Sequence, residues 1–190
     1  TELTVFNRSM INLENEINIL NSYTIHERVV KKLNANLLFY NVGKIKNTLY
    51  TFEDWYDDFE IDFNIDTDDV KFTTRYFINS ENDRLLINQI DGNKEILVSY
   101  EFDSLTTLDK KHNLPFDLTI NSDEELSISR MLIINPIRQI VGKYRSNLIV
   151  KELGQESDQL SISLLHENST IAKKYLTGLM MEFDNDTAFI

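Results

Sequence analysis

The stretch NLENEINILNSYTIHERVVKKLNANLLFY, residues 12–40, combines two helical patterns with the start of a strand. Its first half has apolar residues at helical spacing, which predicts a helix over about 12–21. Thr24 and Glu27 then form a T-x-x-E capping box, which predicts a second helix over about 24–34. The polar pair between the two patterns interrupts the periodicity. We therefore predict a bent helix pair that leads directly into a strand.

Short runs rich in β-branched and aromatic residues follow, and they predict strands. These runs are LLFYNV (37–42), EIDFNI (60–65), VKFTTRYFI (70–78), RLLINQI (84–90), EILVSYEF (95–102) and PFDLTI (115–120). The Asp91-Gly92 pair is a tight-turn signal, so we predict an antiparallel hairpin over residues 85–102. Pro115 cannot donate a ladder hydrogen bond, which places it at the start of its strand or on a sheet edge.

Helical spacing returns after Asn135-Pro136, an N-cap followed by a first-turn proline, and predicts a short helix. Two strands, NLIVKEL (147–153) and QLSISLL (159–165), follow this helix. In the second, Ser161 and Ser163 alternate with apolar residues, which predicts one buried face and one solvent-facing face. A last helix is predicted from about Thr170.

This order of elements predicts an α+β fold with a mixed or antiparallel sheet. The helices are the N-terminal bent pair, the short helix after Pro136 and the C-terminal helix. A length of 190 residues favours a single domain, and it leaves two small subdomains open.

The composition excludes several classes of partner. The chain has 19 Lys or Arg and 31 Asp or Glu, a net charge of −12, so it repels phosphate polymers and we expect no nucleic-acid partner. No apolar run approaches the roughly 20 residues that span a bilayer. The chain has no cysteine, which excludes disulfides and thiolate metal sites.

Residues 53–69 hold nine carboxylates and no Lys or Arg. A calcium loop needs alternating acids, a central glycine and a terminal glutamate, and this segment supplies only the acids. We interpret it as a solvated acidic face and predict no metal site. A pair of catalytic carboxylates, as in a secreted glycoside hydrolase, stays open as the weakest hypothesis, because 31 acidic residues supply such pairs by chance.

The sequence contains no recognisable catalytic motif. His26, His112 and His166 lack metal-ligand spacing, and we predict that each is a surface or capping residue. Gly-rich phosphate loops and a nucleophile elbow are absent, so we expect no enzyme activity, no catalytic residue and no cofactor within these residues. Trp55 and Tyr56 are candidate glycan contacts, because aromatic faces pair with apolar sugar faces; core packing is the alternative.

The opening stretch resembles the periplasmic domain of the Wzz/Wzc polysaccharide chain-length determinants. The residues that carry this resemblance are Asn15, Glu16, Ile17, Leu20, Ser22, Val29, Val30 and Leu33. YNVGKIKNTLY (40–50) resembles a segment of members that carry a cytoplasmic tyrosine-kinase domain. Residues 144–183 are similar to the family's order of short helix, two strands and long helix, although Ser169 and Gly178 depart from it. Residues 51–130 have almost no counterpart in this family.

The resemblance implies a non-catalytic domain on the periplasmic face of the bacterial inner membrane. It implies a role in setting chain length during capsular, exopolysaccharide or lipopolysaccharide O-antigen biosynthesis and export. The full-length protein would be a homo-oligomer that meets the polysaccharide polymerase, the export machinery and the growing polysaccharide.

The resemblance also implies membrane helices on both sides of the chain and a coiled hairpin after Ile190. A cytoplasmic kinase domain would lie outside these residues. The eight residues that carry the resemblance are then candidate assembly residues. The alternative is an extracytoplasmic, β-rich glycan-binding module.

Overall fold

The computed structural model describes residues 2–6, 13–51, 59–81, 84–102, 112–120, 129–154 and 159–187. The chain forms two compact units. Unit 1 combines Thr1–Asn36 with Ile137–Ile190, and unit 2 is Leu37–Pro136. Both chain ends therefore belong to one unit, and the other unit is inserted between them in the sequence.

Four α-helices and eleven strands occur in the described ranges. The helices are α1 (Leu13–Leu20), α2 (Tyr23–Lys32), α3 (Ile137–Asn147) and α4 (Ser169–Thr187), with a short 3-10 helix at Thr67–Asp69. The strands are β1 (Glu2–Phe6), β2 (Leu37–Val42), β3 (Asn47–Tyr50), β4 (Phe59–Phe63), β5 (Thr74–Glu81), β6 (Arg84–Ile90), β7 (Ile96–Phe102), β8 (Phe116–Ile120), β9 (Ser129–Ile134), β10 (Leu148–Glu152) and β11 (Gln159–Leu164). All their ladders are antiparallel, which confirms the α+β prediction.

Unit 1 packs its helices with a three-stranded sheet of order β1-β11-β10. One apolar core joins α1 and α2 to α3, α4 and the two C-terminal strands. Its fully buried members include Leu20, Ile25, Val29, Val30, Val141, Ile162, Tyr175, Leu176 and Leu179. Each large apolar side chain stabilises the unit by roughly 1.5–3 kcal/mol through burial.

The prediction that Ser161 of β11 faces solvent is wrong, because this residue is only 9% exposed. β11 is the central strand of its sheet, and Ser161 pairs with Thr4 on one side and Lys151 on the other. Neighbouring strands on both sides reduce the exposure of a small side chain at this position. Ser163, further along the strand, is half-buried.

The bent helix pair is confirmed, but its cap differs from the prediction. Ser22, not Thr24, is the N-cap of α2, and its Oγ accepts a hydrogen bond from the Ile25 N–H at 3.4 Å. The N-cap therefore lies two residues before the predicted one, because Ser22 stands directly before the first helical residue. Arg145 Nε of α3 donates to the Asn21 carbonyl at 2.9 Å and so fixes the bend.

Unit 2 consists of a six-stranded sheet of order β3-β2-β9-β5-β6-β7 and a two-stranded sheet, β4-β8. The two sheets share one apolar core. Its buried members include Phe39, Ile61, Tyr76, Ile78, Leu85, Ile87, Phe116, Leu118, Leu132 and Ile134. Side chains alternate along a strand, so the residues between these positions lie on the opposite side of the six-stranded sheet, here called the outer face.

The predicted hairpin over residues 85–102 is confirmed as β6-β7, with a register shift between Gln89 and Ile90. Its turn is longer than the predicted tight turn. Asp91 Oδ1 accepts hydrogen bonds from the N–H groups of Asn93 and Glu95, each at 2.8 Å. Within this turn Lys94 has left-handed backbone, with φ of 67°, whereas no glycine in the described ranges has positive φ.

Candidate functional site

The eight residues that carry the family resemblance lie mostly inside unit 1. Glu16, Leu20, Val29 and Val30 are buried; Ile17 and Ser22 are half-buried; Asn15 and Leu33 are exposed. Most of these residues therefore specify the helix pair and its core. The two exposed residues are the ones that a neighbouring molecule could contact.

Unit 1 contains a buried stack of aromatic and imidazole rings that the sequence did not predict. His26 is fully buried, so its prediction as a surface or capping residue is wrong. Its Nε2 donates to the Leu20 carbonyl at 2.9 Å, and the Tyr175 hydroxyl donates to its Nδ1 at 2.7 Å. The ring of Tyr144 lies parallel to that of Tyr175 at a centroid distance of 3.8 Å. The His166 ring also lies nearly parallel to Tyr144, at a centroid distance of 5.7 Å.

Burial keeps His26 and Tyr175 neutral at pH 7. Desolvation lowers the pKa of His26 to about 4; the Leu20 carbonyl opposes this shift, and the positive charge of Arg145 adds to it. Desolvation also raises the pKa of Tyr175 far above its ordinary value. A neutral, hydrogen-bonded pair of this kind holds α2 against α4, and it offers neither a general acid nor a base near neutral pH.

An ion cluster also links α2 to α4. Glu182 accepts from Arg28 Nε and from Lys32 Nζ, both at 3.1 Å, and Arg28 also pairs with Asp186. The Glu182 side chain is only 13% exposed, so this cluster is better shielded than an ordinary surface pair. It strengthens the contact between α2 and the C-terminal helix α4.

Unit 2 has a groove of about 930 Å³ on the outer face of its six-stranded sheet. Its apolar floor is formed by Phe77, Ile90, Ile96, Met131 and Ile133. Amide side chains also line it, from Asn47, Asn79 and Asn88. A volume in this range is typical of ligand sites, and the mixture of apolar surface with a few polar groups is typical as well.

Three cations and one carboxylate line this groove: Lys46, Arg75, Lys94 and Asp91. Lys46 lies in the loop between β2 and β3, whose shape depends on Gly43. A Cβ added at Gly43 would lie 2.5 Å from the Lys46 carbonyl oxygen, so any other residue would force the loop to shift.

The candidate residues Trp55 and Tyr56, with residues 53–58 of the acidic segment, lie outside the described residues. Across the described ranges, no group of three or more His, Asp or Glu is arranged to hold a metal ion. Of the helices that the structure describes, none is long and apolar enough to cross a membrane. No protein-family model matches the chain, and no curated protein matches it significantly.

Proposed function

We propose that this chain is a non-catalytic extracytoplasmic domain that helps to set polysaccharide chain length, and that it acts through assembly of the full-length protein. The observation that carries the proposal is how the matching segments fold. Residues 12–36, which are most of the opening stretch that resembles the Wzz/Wzc family, and residues 144–183 come from opposite ends of the chain and form one compact unit. The remaining residues that carry the resemblance, 37–50, lie in the other unit. The segment with almost no counterpart, residues 51–130, lies within the other unit.

The charge distribution also supports this role for unit 1. Residues 1–36 and 137–190 contain 10 Lys or Arg and 11 Asp or Glu, whereas residues 37–136 contain 9 and 20. The net charge of −12 therefore resides almost entirely in unit 2. Copies of unit 1 can approach one another without the repulsion that the total charge suggests.

The membrane and the implied coiled hairpin would raise the effective concentration of neighbouring copies. Weak contacts through exposed residues such as Asn15 and Leu33 can then hold an oligomer. The proposal assigns no bond-making step to the chain.

The test uses the full-length protein, extracted in mild detergent and sized by sedimentation. Asn15→Arg places a charge on the exposed side of α1, and we expect it to reduce the oligomer. Thr24→Arg is the matched control, because it adds the same charge at an exposed α2 position outside the motif. Oligomers of equal size in both variants would contradict assembly through the motif helices.

A further inference from the structure

The three groove cations are spread over the whole width of the sheet. β2 and β6 run in opposite directions, so the loop with Lys46 and the turn with Lys94 lie at opposite ends of the strands. Arg75 lies between them on β5. Four strand spacings separate β2 from β7, about 19 Å at roughly 4.8 Å per strand. A small ion cannot contact all three cations, but an elongated ligand can.

The residues that line the groove carry more positive than negative charge, although their unit is strongly acidic. Three of its four charged residues are cations, and the fourth, Asp91, directs Oδ1 to two N–H groups of its own turn. Lys46, Arg75 and Lys94 form no ion pair with any residue in the described ranges. Cations without an ion-pair partner among the described residues attract anions to a concave surface, so this groove favours a negatively charged ligand.

The floor alternates apolar surface with hydrogen-bonding groups. Phe77 lies in register between Met131 and Asn88 on the adjacent strands. Asn88 is only 6% exposed, and its Oδ1 accepts from Ser99 Oγ at 2.7 Å. Its amide nitrogen has no partner among the described residues, although the side chain lines the groove. A nearly buried donor of this kind matches a hydroxyl or carboxylate oxygen of a ligand.

These features disfavour two other anionic ligands. An acyl chain needs an uninterrupted apolar path, and Arg75 stands in register between Ile133 and Ile90. An acidic peptide that extends a sheet needs a free edge. The floor of the groove lies mainly on β9, β5 and β6, whose backbones are paired on both sides, and the edge strands contribute only Asn47 and Ile96.

We propose that the groove binds an acidic oligosaccharide, a chain of sugars that carries carboxylates. The apolar face of one sugar packs on Phe77, and the amides of Asn79 and Asn88 meet hydroxyl groups. Lys46, Arg75 and Lys94 meet carboxylates along the chain. The site belongs to unit 2 alone, so it does not depend on the assembly role proposed for unit 1.

The test measures binding of tetragalacturonic acid to the 190-residue chain by calorimetry at low salt. We expect binding that weakens as salt is added, and no heat from the neutral tetrasaccharide maltotetraose at the same concentration. Replacing two of the three cations, in Lys46→Gln/Lys94→Asn, should weaken binding about tenfold. Asparagine suits position 94 because it tolerates left-handed backbone.

The matched control is Lys44→Gln/Lys71→Gln, which removes the same charge from exposed positions outside the groove. We expect its affinity to stay within about twofold of the parent. Thermal melts of both double variants check that they are folded, and Arg75→Lys supplies a conservative variant with the charge retained.

Three results would overturn the proposal. The first is no binding of tetragalacturonic acid at millimolar concentration by the folded parent. The second is equal or tighter binding of a tetraglutamate peptide or of vesicles containing anionic phospholipid, since the groove would then recognise another class of ligand. The third is equal weakening in the two double variants, because the effect would then come from total charge.

Discussion

Acidification should selectively destabilise unit 1 through His26. The imidazole is fully buried, and its pKa falls from an ordinary value of 6.5 to about 4. Between pH 6.5 and about 4, His26 is protonated in the unfolded chain but stays neutral in the folded chain. The stabilisation is therefore complete above pH 6.5, and it is lost as the pH falls towards 4. At 1.36 kcal/mol per pH unit, the loss reaches about 3 kcal/mol.

The assay is hydrogen exchange of the α2 and α4 amides between pH 7 and 4, with rates corrected for the intrinsic effect of pH. Local exchange is preferable to a single unfolding curve, because the chain has two compact units and two-state behaviour cannot be assumed. His26→Gln removes the titrating group and serves as the control for the many carboxylates. In this variant, the protection of the α2 and α4 amides should fall less steeply below pH 6.5 than it does in the parent.

A direct reading of the imidazole completes this test. The NMR shifts of the His26 ring should show no protonation until the pH approaches 4. Arg145→Gln should raise the His26 pKa, because it removes a nearby positive charge. Equal pH dependence in the parent and His26→Gln, or an imidazole that titrates near 6.5, would refute the reasoning.

Three further predictions follow from packing and charge. Gly178→Ala should change the free energy of unfolding, measured in urea, by less than about 1 kcal/mol, because the gain in helix propensity offsets a 3.3 Å contact of the new Cβ with Val29. Gly178→Leu should destabilise unit 1 by several kcal/mol in the same measurement, because the larger side chain overpacks this contact. Asp62→Asn and Asp66→Asn should leave polymer production in cells intact, because the acidic residues that the structure describes form no group arranged to hold a metal ion. Loss of polymer at normal protein levels would indicate a metal or catalytic role. The isolated 190-residue chain should sediment as a monomer or weak oligomer at micromolar concentration. A stable oligomer unaffected by salt would be evidence against assembly that requires the implied membrane helices and coiled hairpin.

The sequence predicts the elements whose periodicity is clear and misses those whose two faces are both apolar. β9 ends in four consecutive apolar residues, so it shows no alternation. In the fold, Leu132 and Ile134 enter the core while Met131 and Ile133 line the groove. β3 has only four residues, two of them polar, and its strand signal is correspondingly weak.

The candidate sites were less predictable than the elements, because they join residues that are distant in sequence. The groove draws on six strands or their loops, and no local motif marks it. His26 and Tyr175 are 149 positions apart, so the hydrogen bond that buries the imidazole leaves no signal within either helix. The resemblance at the two chain ends rests on local segments, and it stays a prediction.

The most direct test of the central claim is the length distribution of the surface polysaccharide in cells whose only copy of the gene carries Asn15→Arg and Leu33→Gln. If the chain sets polymer length through assembly, total polymer should persist while its length distribution shifts, and Thr24→Arg cells should resemble the parent. An unchanged length distribution in cells with normal protein levels, or the complete loss of polymer, would contradict the account.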